Sequence, residues 1–358
     1  MRFAAIFLLF LYLLPCPALA MEAELGIEEL EKALPPEGRE IYGSLEADAS
    51  AWDEGLTKLM DWLAENSLPA FRSAVKSGGK MLTVLVLCAA AGAVSGGKGP
   101  DFVNLGGALG ISALAVGEMD AFIGLGENTL RAMTDFCTML LPCMAAAGAA
   151  AGNISSSAAM YGATVLFMDI LLQLALGFVM PLIHIYIAAS AARAALGSGV
   201  IDGAVGIAKW LCVMSMTVLI TAFTAYFSIT GVVGSAADAA AARVTRTAIA
   251  AALPVVGKLV SSAAGTVVAA ASMLRAGAGV FGLLSVLAMC AYPFLALGTH
   301  YLVYKAVAML GSGLADNRLS GLIGGIGTAF GLVLSLVGCG VMMLFLSLVS
   351  AMKAVSYL

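Results

Sequence analysis

Residues 321–351, GLIGGIGTAFGLVLSLVGCGVMMLFLSLVSA, run for 31 positions without an acidic or basic side chain. A helix rises about 1.5 Å per residue, so such a run reaches roughly 46 Å, more than the ~30 Å of a bilayer's hydrocarbon core. Seven further apolar runs precede it, at about 81–97, 102–117, 132–152, 158–192, 207–231, 247–274 and 277–310. None alternates apolar and polar residues as a barrel strand does. In lipid only helices and closed barrels satisfy every backbone donor and acceptor, so each run is expected to be helical. The reading is an all-α, polytopic membrane bundle. The runs 158–192 and 277–310 are too long for one crossing and carry Pro181 and Pro293 near their middles, which predicts a two-helix hairpin in each. Seven to ten crossings are expected in total.

Composition agrees with that reading. Of 358 residues, 61% are hydrophobic and only 11% charged, with a mean hydropathy of +1.00. The net charge is −4 and no Lys/Arg block occurs, which excludes nucleic-acid binding, since that needs a basic face to displace counterions. Most of the acidity lies near the N-terminus, with thirteen Asp and Glu against five Lys and Arg between Met21 and Gly78.

Residues 1–20 read as a signal peptide, with Arg2, an apolar stretch from Phe3 to Leu14, and the small-x-small site Ala18-Leu19-Ala20. Export would place the acidic segment 21–79 outside the cytoplasm, ahead of a membrane domain at 80–358. Within the segment, Trp52, Leu56, Leu59 and Leu63 form one apolar stripe at helical spacing, suited to a partner, a membrane surface or the membrane domain itself. Glu118, Asp120, Glu127 and Asp135 are expected in a second external loop, while Arg193, Lys209 and Arg318 flank later loops. Cys88, Cys137, Cys143, Cys212, Cys290 and Cys339 sit in apolar runs without metal-ligand spacing and read as buried thiols.

The chain repeats itself. Leu196-Gly197-Ser198-Gly199 and Asp202 recur as Leu310-Gly311-Ser312-Gly313 and Asp316, Arg131 and Leu141-Pro142 as Arg246 and Leu253-Pro254, and Ser156-Ser157-Ala158-Ala159 as Ser261-Ser262-Ala263-Ala264. The offsets suggest an internal duplication over 131–231 and 246–351 with proline-broken or re-entrant helices. Pro142, Pro254, Gly257 and Lys258 are therefore candidate broken-helix positions, with unpaired carbonyls turned toward water or protein. Gly106/Gly110 and Gly327/Gly331 have the spacing of close helix packing within the bundle.

Catalytic motifs are wanting. Gly92 to Gly99 nearly matches a phosphate-binding loop, but Gly99 stands where a hydroxyl is required and no strand precedes it. His184 and His300 begin no zinc motif, and no metal or cofactor is expected. The expectation is a protein without enzymatic activity. Among ionisable groups in the apolar runs, Asp169 is the main candidate, with Gln173 one turn away on the same face as a channel or polar lining. Packing alone is the competing reading.

The residues Asp238, Arg243, Arg246-Thr247-Ala248, Leu253-Pro254-Val255-Val256-Gly257-Lys258, Ser272, Leu274-Arg275, Gly279-Val280-Phe281-Gly282 and Ala291-Tyr292-Pro293 resemble the stage III sporulation protein AE family. That resemblance implies a multi-pass protein of the mother-cell membrane in endospore formers, within the secretion-like channel complex that joins mother cell and forespore. Its implied partners are other proteins of the same operon, including an ATPase and ring-forming subunits, and a forespore-membrane protein. A secondary transporter or permease for a small solute is the alternative, supported by the duplication and Asp169.

Overall fold

The computed structural model describes residues 51–94, 100–150, 154–196, 199–252, 257–314 and 317–353. Residues 1–50, which include the expected signal peptide, lie outside the described residues. The order is α1 (Ala51–Val94), α2 (Pro100–Ala150), α3 (Ile154–Leu174), a π-helical turn (Ala175–Val179), α4 (Met180–Leu196), α5 (Gly199–Ala252), α6 (Gly257–Ser312) and α7 (Asn317–Lys353). No strand occurs among the described residues.

Among the described residues, six stretches are long and apolar enough to cross a membrane: Glu54–Val94, Phe102–Leu140, Gly162–Leu196, Ile201–Tyr226, Gly282–Gly311 and Asn317–Leu348. The seven to ten crossings expected are not confirmed: the runs 158–192 and 277–310 each lie within a continuous rod, and the side chains of 247–274 lie outside the described residues. The run 158–192 does not fold as a hairpin, because α3, the π turn and α4 form one continuous rod. Pro181 lacks an N–H and its ring crowds the carbonyl four residues back, at Gly177. The wider π turn lies at that carbonyl and accommodates the ring without reversing the chain. Pro293 likewise lies inside the unbroken α6. The acidic loop is replaced by helix as well, since Glu118, Asp120, Glu127 and Asp135 all belong to α2. Nothing between Gly117 and Ala132 stops a helix, and Pro100 at its first position is the one proline that a helix accepts freely.

α6 and α7 form the centre. Of their spans, 72% and 67% are buried inside the protein, against 22% to 33% for the other four. Small residues permit the approach, as Gly327 abuts Cβ of Tyr304 and Gly331 abuts the Tyr301 ring. In the earlier glycine pair, Gly110 faces Val84 and Gly106 meets nothing within 4 Å. Leu130 and Met133 of α2 and Leu171 of α3 all reach Gly340 of α7, and Val333 of α7 reaches Gly126 of α2. The apolar stripe of α1 docks on the membrane domain, with Leu56, Leu59, Trp62 and Leu63 packed on Leu284, Leu287, Ala288 and Ala291 of α6. α1 thus carries the chain through residues 79 and 80 without a break. Of the six cysteines read as buried, Cys137, Cys212, Cys290 and Cys339 are buried and free, Cys88 is half-buried, and the side chain of Cys143 lies outside the described residues.

Leu196 of the first Leu-Gly-Ser-Gly site ends α4 and its Gly199 opens α5, with Gly197 and Ser198 outside the described residues. The second closes α6 with a tight turn in which the N–H groups of Gly313 and Leu314 donate to the carbonyls of Leu310 and Gly311. Glycine just past a helix end serves such turns without steric cost.

Candidate functional site

A polar cluster lies inside the bundle where α1, α2 and α6 meet. Glu118 of α2 accepts hydrogen bonds from Ser77 Oγ of α1 at Oε1 and from Tyr304 OH of α6 at Oε2, each at 2.5 Å. Beside it, His300 is almost wholly buried, 4% exposed, and its Nδ1–H donates to the Ala296 carbonyl at 2.8 Å. The His300 ring stands 4.4 Å from that of Phe122 and 5.6 Å from that of Phe330, and Tyr304 meets Phe330 edge-on at 5.1 Å. Aromatic rings therefore surround the carboxylate on the core side. A carboxylate in such a place is tolerable because both its oxygens accept from hydroxyl donors.

One turn further along α6, Lys305 Nζ donates to the Gly324 carbonyl at 2.8 Å and to Thr328 Oγ1 at 2.7 Å, both on α7. At the same end of the bundle, Arg193 of α4 pairs with Asp202 of α5 at 3.5 Å. Arg193 also lies across Gly321 of α7, its Nη2 3.2 Å from where a Cβ would stand.

Asp169 occupies a different place. It lies on the outer face of the bundle, where Gln173 Nε2 donates to its Oδ2 at 2.7 Å. The helical pairing read from the sequence is present, and the structure points it away from the core. Pro142 falls within the bounds of α2, and Gly257 and Lys258 open α6, but the side chains of all three lie outside the described residues. Pro254 and its neighbours at the junction of α5 and α6 also lie outside them. The sequence analysis missed Ser77, Glu118 and Tyr304 as a group. Glu118 follows Asn104, Ile111 and Ala115 at spacings of 14, 7 and 3 on the buried face of α2, a periodic signal that was available.

A sequence model of the stage III sporulation protein AE family matches residues 56–355, nearly the entire membrane domain. The chain belongs to the stage III sporulation protein AE family. A curated relative, stage III sporulation protein AE of Bacillus subtilis (strain 168), is 22% identical over 197 residues, covering 55% of this chain and 49% of the relative. That alignment spans about half the length of the relative. No solved structure matches. The family match extends far beyond the 231–300 region whose residues carried the resemblance, and it includes the whole Glu118 cluster and Asp169. Membership in the stage III sporulation protein AE family, with six stretches among the described residues long and apolar enough to cross a membrane, supports a membrane location and a role in sporulation.

Proposed function

We propose that the chain is a membrane subunit of the channel complex that connects mother cell and forespore, working as a structural and passage-forming component without catalysis of its own. The family match over residues 56–355 carries this reading. Its expected partners are the ATPase and ring-forming proteins of the same operon and a protein of the forespore membrane. Orientation follows from charge. Arg193, Lys209, Lys305 and Arg318 gather at the ends of α4 and α6 and the starts of α5 and α7, and cytoplasmic ends carry the excess of Lys and Arg. The N-terminal end of α1, with the acidic residues 21–50 leading into it, then lies outside the cytoplasm and faces the forespore. The duplicated units would contain two crossings each and would be parallel repeats.

The transporter alternative loses support from the geometry, because Asp169 does not point into the bundle. Affinity purification of the tagged chain from sporulating cells tests the proposal. Stable recovery of ring-forming proteins and the ATPase is expected, and deletion should halt development after engulfment. Recovery of the chain alone, with solute uptake by the purified protein in vesicles, would replace this reading with the transporter.

A further inference from the structure

α5 and α6 bring two lysines together near one end of the bundle. Lys305 of α6 is half-buried. A Cβ on Gly327 of α7 would stand 3.5 Å from the Lys305 backbone nitrogen, so the two helices are level at that point. From there the Lys305 side chain crosses sideways to α7. Its Nζ donates to the Gly324 carbonyl at 2.8 Å and to Thr328 Oγ1 at 2.7 Å, on either side of Gly327. A snorkelling lysine instead carries its head away from apolar surface and into water. An ammonium has three N–H donors, and these two bonds leave one open.

Both acceptors are neutral, and the neighbouring charge has the wrong sign. Lys209 of α5 is exposed and stands close enough to Lys305 for the two positive charges to repel. Among the described residues neither lysine has a carboxylate within ion-pair distance. Asp202 is taken up by Arg193, at 3.5 Å. Asp316 lies outside the described residues. Two ammonium groups held together by separate helices, one of them partly desolvated, are unfavourable until an anion sits between them.

The surroundings say what kind of anion fits. From Trp210 to Ala237, α5 carries no charged residue for 28 positions, more than the roughly 20 that cross a hydrocarbon core. Lys209 therefore stands at the edge of that run. Trp210 beside it is exposed, and tryptophan is enriched at the headgroup level of membranes. Val213, one turn into the run on the Lys209 face, is exposed as well. On α6, Leu302 and Met309 flank Lys305 at i−3 and i+4 and are both exposed. An anion at the two lysines thus has apolar surface beside it on both helices, which a phospholipid uses and a soluble anion does not. Basic pockets between membrane helices are known to take acidic headgroups.

We propose that Lys209 and Lys305 bind the phosphate of an acidic phospholipid, whose acyl chains lie against α5 and α6. The site does not depend on the channel-complex reading.

The whole chain, purified in detergent, tests it by native mass spectrometry and thermal unfolding with added phosphatidylglycerol. Phosphatidylglycerol is expected to stay bound and to raise the melting temperature, and phosphatidylcholine with the same chains and inorganic phosphate to do neither. Lys209→Gln and Lys305→Gln should each weaken phosphatidylglycerol binding at least about fivefold. Lys58→Gln should leave it unchanged, since the adjacent Leu59 packs at Leu284, far along α6 from Lys305. Lys209→Gln breaks no hydrogen bond to a described residue, so it decides the question should Lys305→Gln misfold. Unchanged phosphatidylglycerol binding in Lys209→Gln, or equal retention of phosphatidylcholine, would overturn the site. Equal stabilisation by inorganic phosphate would make the ligand a free anion and overturn the lipid. Loss of a co-purifying protein in Lys209→Gln with lipid binding unchanged would give the two lysines to a protein partner instead.

Discussion

Glu118 accepts from Ser77 on α1 and from Tyr304 on α6, so one side chain of α2 ties three helices together. Replacing Tyr304 by Phe keeps the ring contact with Phe330 and leaves Oε2 without its donor, at a cost of about 1–3 kcal/mol in stability. Thermal unfolding in detergent should show the loss. A cycle with Glu118→Gln should return a coupling of about 0.5–3 kcal/mol, and strict additivity would refute the bond. Glycines offer a second contrast on the same helix. A Cβ on Gly126 would stand 2.5 Å from Val333, whereas one on Gly124 meets nothing within 4 Å. Gly126→Ala is therefore expected to destabilise by about 1–3 kcal/mol through overpacking, and Gly124→Ala to leave the melting temperature near that of the parent. Equal effects would contradict the α2–α7 packing. At this scale the sequence was partly legible. Asp169 and Gln173 are the i, i+4 pair that their spacing announced. Glu118 was misplaced because the four acids were counted as a group, whereas helical periodicity turns Glu118 inward and Asp120 outward.

Helices lengthened where the sequence suggested turns, and the reason lies in backbone hydrogen bonding. A hairpin inside lipid must satisfy the free amides and carbonyls at two helix ends, which takes polar or glycine-rich turn residues. Around Pro181 the chain offers Phe178, Val179, Met180, Leu182 and Ile183, which supply none. Continuing the rod through one π turn leaves far fewer groups unpaired. Around Leu310-Gly311-Ser312-Gly313, by contrast, turn residues are present and the chain does turn. The docking of α1 on α6 is the element-level contact most open to test. Leu59 is 6% exposed against Leu284, Leu287 and Ala288, and its truncation to Ala should cost about 2–5 kcal/mol of that contact. Tryptic cleavage at Lys58 in membranes should accelerate in Leu59→Ala, with the α6–α7 hairpin still protected. Unchanged cleavage would mean that the stripe does not hold α1 in place.

Six crossings and eight or more differ in parity at places that reporters can reach. With α3, the π turn and α4 as one rod, Ala150 and Leu196 are expected on opposite sides of the membrane. A proline-centred hairpin at 158–192 would return them to the same side. The same logic separates Ala252 from Ser312 across α6, where Pro293 lies within an unbroken helix. Charge supplies the absolute direction, because Arg193, Lys209, Lys305 and Arg318 crowd one end of the bundle and that end should be cytoplasmic. Fusions of alkaline phosphatase after Ala150, Ala252 and Lys353 are therefore expected to be active, and fusions after Val94, Leu196 and Ser312 inactive. A cytoplasm-dependent fluorescent reporter should give the inverse pattern. Activity at both Ala150 and Leu196 would restore the hairpin. An inverted but still alternating pattern would keep the six-helix bundle and reverse only its direction in the membrane.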